Sequence, residues 1–350
     1  MHSFASLAMT CRVGSPDPLH GDFLGMMRIF VAVGLVSANL IGGATVAVAQ
    51  VNYPEKQLQL IVPYPPGGAS DVIGRIVAGE LEARLGKPVI VMNRPGGGTT
   101  IGAREAANAA PDGYTLFFSS NSTFTLQNAV KETVPFDSAR DFEPIAQVGT
   151  LGMVLVTHRD NPIKDVASLV AAAKANPDKL SLASFGAATI SHFAGELFKS
   201  STGIKMVHLP YKGSAPAMND LIGKHIEYHV DTVIAVKPQV EAGAVRPLAI
   251  FSAKRSAFLP DVPTLAELGY PNVDLVSWGT VVVPKATPAT VRDRLSAMLE
   301  EAIASPAVAE RFRKVGFEPA FKRYTDWPGF IRKEITEMKA LAQAAGIKEE

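Results

Sequence analysis

Residues 58–85 read LQLIVPYPPGGASDVIGRIVAGELEARL: a β-rich run, a turn rich in proline and glycine, then a helical pattern. The pattern predicts a strand over Leu58 to Pro63 and a helix over Ser70 to Leu85, joined by the run Pro63 to Asp71. A strand that feeds directly into a helix begins a βαβ unit and requires a parallel sheet. Ligands of open α/β sheets sit beyond the carboxyl ends of the strands, where this connection lies. Gly67 and Gly68 let the backbone approach closely, and the first helical turn offers N–H groups and a positive dipole end. The loop therefore suits a carboxylate or another anion. It also suits a plain turn in which Ser70 or Asp71 caps the helix, and the two uses are compatible.

The same grammar continues downstream. Val89 to Met92 reads as a second strand, Ile101 to Ala110 as a helix, and Thr115 to Ser119 as a third strand entered through the turn Pro111-Asp112-Gly113. A second series follows Met153 to Thr157: helix Val166 to Ala175, strand Leu180 to Ser184, helix Ser191 to Ser200, strand Met206 to His208, helix Ala215 to Ile222, and strands Tyr228 to Val230 and Leu248 to Phe251. Trp278 to Val283 reads as a strand returning to the first unit, where helices Thr290 to Ala304 and Trp327 to Ala345 would pack. The expected architecture is α/β, a two-lobed clamshell with a doubly wound sheet in each lobe and two crossover strands as the hinge. Residues 50–155 and 276–350 form lobe 1 and residues 156–275 form lobe 2 in this expectation.

Three more connections carry polar groups toward the expected cleft. Asn93 to Gly102 (NRPGGGTTIG) offers the hydroxyls of Thr99 and Thr100, yet has no lysine where a phosphate loop needs one and is not a dinucleotide fingerprint. Ser119-Ser120-Asn121-Ser122 ends the third strand with short donors that serve a ligand or cap a loop. In the second series Ser184 to His192 (SFGAATISH) again links strand to helix, with Gly186, Thr189 and His192 on the connection. Asp231 ends a strand, as a ligand acceptor or as a turn residue. No nucleophile elbow or Ser-His-Asp arrangement accompanies His192. His225 and His229 lie four apart on a strand, which separates the imidazoles too widely for one metal, so no metal site is expected.

The chain has 350 residues, is 47% hydrophobic and 19% charged, and carries a formal net charge of +1, enough apolar material for two cores. Basic residues do not cluster with aromatics, which excludes the electrostatic footprint of a nucleic-acid partner. Arg28 precedes an apolar run, Ile29 to Ala49, that closes on Ala47-Val48-Ala49. This predicts a signal peptide over residues 26–49, cleaved after Ala49, a periplasmic location, and an over-extended gene start over residues 1–25. The alternative is a single membrane anchor. Cys11, the only cysteine, would be lost with that segment, leaving no disulfide and no lipid-attachment thiol.

Taken together, these segments resemble the Bug-type receptors, the extracytoplasmic solute-binding proteins of tripartite tricarboxylate transporters. The resemblance rests on IVPYPPGGASD (61–71), VMNRPGGGTTIG (91–102), APDGYTL (110–116), PYKG (210–213) with DLIG (220–223), and LPDVPT (259–264) with ELG (267–269), in that order and spacing. It implies a periplasmic clamshell that closes on a small organic carboxylate through amides, hydroxyls and water. Membrane subunits of the transporter would be its partners, with no cofactor and no catalysis. It places Pro66, Gly67, Gly68, Ala69 and Asp71 in the first binding loop, Ser120 and Asn121 at the third-strand edge, and Ser184, Thr189 and His192 on the opposing loop beside Gly186. Thr99 and Asp231 complete the expected ligand set. The sequence departs from the family pattern at Ala187 and Ala188, where another glycine is usual after Gly186, and at the Thr99-Thr100 pair. A monomer is expected. Two other uses remain open: docking of the liganded protein on a membrane sensor kinase, and an enzyme with His192 as base and Asp231 as its partner.

Overall fold

The computed structural model describes residues 53–347, which fall in one compact unit. The expected extension, signal peptide, cleavage point and Cys11 lie outside the described residues.

The opening stretch forms β1 (Leu58–Val62) and α1 (Ala69–Leu85). In β1 every residue except Gln59 is buried, the mark of a parallel strand covered on both faces. Helix α1 ends at Gly86, whose left-handed φ of 65° lets its N–H reach the Glu82 carbonyl. Next come β2 (Val89–Asn93), α2 (Thr100–Ala107) and β3 (Thr115–Ser120). A buried π-helical turn, Ser122–Leu126, then runs into the short α3 (Gln127–Val130). β1 pairs in parallel with both β2 and β3.

The second series gives α4 (Val166–Ala175), β5 (Ser181–Ser184), α5 (Ile190–Thr202), β6 (Val207–Pro210), α6 (Ser214–Ile222), β7 (Tyr228–Thr232), α7 (Val233–Glu241) and β8 (Val245–Ile250). β5 pairs in parallel with β6 and β7. Joining the two parallel wings are β4 (Phe142–His158) and β9 (Val276–Pro284). β9 runs antiparallel to β3 on one side and to β4 on the other. β4 pairs with β9 from Phe142 to Gly152, and from Met153 onward it pairs instead with β7 and β8. The described strands thus form one ten-stranded sheet, ordered β2-β1-β3-β9-β4-β7-β5-β6, with β8 and β10 (Glu318–Lys322) on β4.

The sequence suggested the second half of β4 alone. Its first half is hidden by Pro144, Gly149 and Gly152 and by two register shifts. Gly149 is required there, because a Cβ would come within 2.5 Å of the Phe317 ring. Helix α7 was likewise unexpected, since Pro238 stands inside it.

Helices α8 (Ala289–Ala304) and α9 (Pro306–Lys314) pack beside α1, and α8 also covers β4. The C-terminal α10 (Trp327–Ala345) is capped by Asp326, which accepts from the Gly329 amide at 2.8 Å. It packs on the π turn and α3 and also reaches α5, so it touches both series of elements. Phe117 and Phe142 stack at 5.8 Å, and Phe124 and Trp278 at 5.9 Å, in an aromatic cluster beneath it. No described helix is long and apolar enough to cross a membrane.

Candidate functional site

Asp71 builds the first loop from behind. One carboxylate oxygen accepts from the Gly67 amide at 3.0 Å and from Arg75 Nε at 3.0 Å, and the other from Asn93 Nδ2 at 2.9 Å. Asn93 also holds the Tyr64 carbonyl at 2.9 Å. Burial works to raise the Asp71 carboxyl, and the bonds from Arg75, Gly67 and Asn93 outweigh it, leaving the group below the usual carboxylate range. The loop is therefore held as an arch with Gly68 as helix cap. Gly68 has no side chain to spend on the first-turn amides of α1, which have no partner within the helix.

Those residues, Gly68, Ala69 and Ser70, border a narrow cavity in which about 30 Å³ can take the centre of a water molecule. Its walls come from both wings: Tyr64, Ser120, Leu151 and Ser277 on one side; Phe185, Ile190, Ser214, Asp231 and Thr232 on the other. Four helices, α1, α5, α6 and α7, begin at its rim, so positive dipole ends converge on it. None of the described residues bordering it is Lys or Arg. Tyr64 lies edge-on to Phe185 at 5.9 Å. Burial pushes the Tyr64 hydroxyl up to about 12, with bonds to Ser122 and Ser120 pulling the other way, so it stays a neutral donor.

The wings meet around this cavity. A Cβ on Gly213, whose φ is 142°, would stand 2.6 Å from Pro65 Cδ. Deeper in, Ser122 Oγ accepts from the Ile190 amide at 3.0 Å, capping α5 from the opposite wing. The helix's own cap residue, Thr189, gives its hydroxyl to the Gly186 carbonyl instead, at 2.6 Å. Gln127 Nε2 bridges the Gly98 carbonyl at 2.7 Å and the Ala188 carbonyl at 3.0 Å.

Asp231, on the second-wing wall, forms a fully buried pair with His229 behind it. His229 Nε2 meets Asp231 Oδ2 at 2.9 Å, and its Nδ1 meets the Ala183 carbonyl at 3.0 Å. Each ring nitrogen thus faces an oxygen. Asp231 also accepts from Ser214 Oγ at 2.5 Å and from the Thr232 amide at 2.7 Å.

Of the residues expected from sequence, Gly68, Ala69, Ser120 and Asp231 border the cavity. Pro66 and Gly67 are exposed on the arch, and Asp71 supports it. Asn121 stands one layer back, accepting from Ser277 Oγ at 2.9 Å. Ser184, Gly186 and Thr189 bond among themselves within the opposing loop. Thr99, with a left-handed φ of 95°, follows Gly98, whose carbonyl accepts from Gln127. His192 is buried in that loop: its Nδ1 accepts from the Ala188 amide at 3.2 Å, and its ring stacks on His208 at 4.0 Å. It makes no bond to Asp231, whose partners are Ser214, His229 and Thr232, so the acid–base pairing considered from sequence is not assembled. His192, Glu196 and His208 bring three ligand atoms within 4.8 Å of one another. The two rings lie parallel within 2°, however, so their in-plane lone pairs do not converge, and Lys199 already pairs with Glu196 at 2.7 Å.

Sequence reasoning missed Tyr64, Ser214, Thr232, Ser277 and His229. Ser214 had a signal, because Pro210 to Ser214 repeats the strand–glycine–helix grammar of the first loop. Ser277 had none, since its facing depends on how β9 lies between β3 and β4.

Two parallel-stranded wings joined by crossover strands, with helix N-termini converging on a cavity between them, define a two-lobed α/β binding protein of the periplasmic type. The family model "Tripartite tricarboxylate transporter family receptor" matches residues 73–347, and the chain belongs to that family of periplasmic solute receptors. It is 35% identical to protein BugT of Bordetella pertussis over 326 residues, covering 93% of this chain and 99% of that one. Among solved structures it is similar to R. palustris Rpa4515 with adipate, at 32% identity and a TM-score of 0.82, covering 85% of this chain and 99% of that one. The periplasmic binding protein BugD superposes with a TM-score of 0.80 at 31% identity, covering 85% and 100% of the two chains.

Proposed function

We propose that this protein captures a small organic carboxylate in the cavity between its wings and delivers it, chemically unchanged, to the membrane subunits of a tripartite tricarboxylate transporter. The carrying observation is that four helix N-termini border a slot with no Lys or Arg among the described residues of its walls. Such a slot stabilises an anion through amides and dipoles and releases it without breaking a strong salt bridge. Gly68, Ala69, Ser70 and Ser120 supply the donors, with Pro66, Gly67 and Asp71 shaping the arch and Thr99, Asn121, Ser184, Gly186, Thr189 and His192 holding the loops around it. The adipate in the R. palustris relative supports this ligand class. The receptor acts as a monomer in the periplasm after cleavage behind Ala49.

The test is a thermal-shift screen of the purified protein against mono-, di- and tricarboxylates, amino acids and aromatic acids, with recovery of the ligand. A ligand at one hundred times its Kd adds about 2.7 kcal/mol of stability and moves the midpoint by several degrees. A saturable shift with intact ligand is expected. Consumption of the ligand would replace the receptor by an enzyme, and silence across the panel would remove the carboxylate reading.

A further inference from the structure

Two hydroxyls on the cavity wall have already committed their protons. Ser214 Oγ donates to Asp231 Oδ2 at 2.5 Å. That carboxylate also receives His229 Nε2 at 2.9 Å and the Thr232 amide at 2.7 Å, so it stands there as an acceptor. Ser277 Oγ donates to Asn121 Oδ1 at 2.9 Å, and the Asn121 amide nitrogen donates onward to the Val276 carbonyl at 3.3 Å, which fixes which end of that amide faces Ser277. A hydroxyl carries one proton and two lone pairs. Both serines border the cavity and are nearly buried, at 9% and 2% exposure, so lone pairs are what they present to a ligand.

We infer that the cavity selects carboxylates that carry a second hydrogen-bond donor, a hydroxyl or an ammonium, which Ser214 and Ser277 accept while the α1 amides hold the carboxylate. The inference rests on the carboxylate reading above and adds the substituent. A plain acid leaves buried acceptors unmatched, and buried polar sites discriminate strongly against analogues that lack the matching group. Asp231 acts through Ser214 as a positioning residue, because it takes the Ser214 proton out of the cavity. His229 and the Thr232 amide also bond that carboxylate, so the ligand's donor, a neutral hydroxyl or an ammonium, meets the serines.

The test is calorimetric titration of the full protein with matched acids of three to six carbons, each plain, 2-hydroxylated and 2-aminated. The protein should bind a donor-bearing acid about tenfold or more tightly than its plain parent. Ser214→Ala should bring that ratio toward one, Ser277→Ala should act in the same direction, and Ser214→Thr should restore the preference. Asp231→Asn places an amide donor beside Ser214, frees the serine proton and should lower the ratio too. Equal binding of plain and substituted acids overturns the inference while leaving the receptor reading intact, and so does a Ser214→Ala loss that is the same for both. Binding of no acid at all overturns the receptor reading and this inference with it.

Discussion

Gly213 has no room for a side chain. Its φ of 142° belongs to the region only glycine enters freely, and a Cβ would lie 2.6 Å from Pro65 on the opposite wing. Gly213→Ala should therefore hold the wings apart where Pro65 meets them. We expect an affinity loss of about tenfold or more for the ligand found in the screen, from strain on the order of 1–3 kcal/mol, read by calorimetry. The same variant should keep its far-ultraviolet circular dichroism, because both parallel wings keep their own ladders. Asp71 shows the complementary economy: one carboxylate sets the Gly67 amide, an arginine and an asparagine in place, while the first turn of α1 keeps no side-chain cap.

Among the elements, α10 carries the clearest titration. Burial raises the Glu334 carboxyl from 4.5 to about 7, helped by Glu337 and opposed by the Trp278 bond and Lys322. Its Oε1 accepts from Trp278 Nε1 at 2.9 Å, while its Oε2 is buried without a partner. The folded state thus prefers the neutral acid. That preference contributes fully below about 4.5 and is lost as pH rises through about 7, by on the order of 3 kcal/mol. Glu334→Gln should flatten this stretch of the stability profile and raise the melting temperature most at pH 8, checked by melts across pH. The element scale also decides what was legible in the sequence. β1, its loop and α1 were readable because strand, turn and helix cap are written within a few residues of one another. The first half of β4 was not, because Gly149 and Gly152 answer to Phe317 and Val233, which lie far along the chain. In the site, the first loop and Ser120 followed from the same local grammar. The roles of Asn121 and His192 did not, since partners far along the chain fix them: Ser277 bonds Asn121, and the His208 ring stacks on His192.

At the scale of the whole molecule, the wings are tied together by contacts at and around the rim of the cavity. Gln127 ties Gly98 to Ala187 and Ala188, and Ser122 caps α5 across the gap. Gln127→Ala should weaken ligand binding about three- to tenfold by lowering the closed population, since apparent affinity scales with the competent fraction. Small-angle scattering should then show a larger radius of gyration for the unliganded variant than for the parent, with the two converging at saturating ligand. The crossover strands impose an order of events as well. A ribosome that has reached His158 has made β3 and the whole of β4, yet β9, which must lie between them, belongs to the far end of the message. Two long unpaired strand edges are an invitation to other chains during all of that synthesis. A nascent chain of this design gains from being kept unfolded until its last third is complete, which is the condition of any protein threaded across a membrane before it folds.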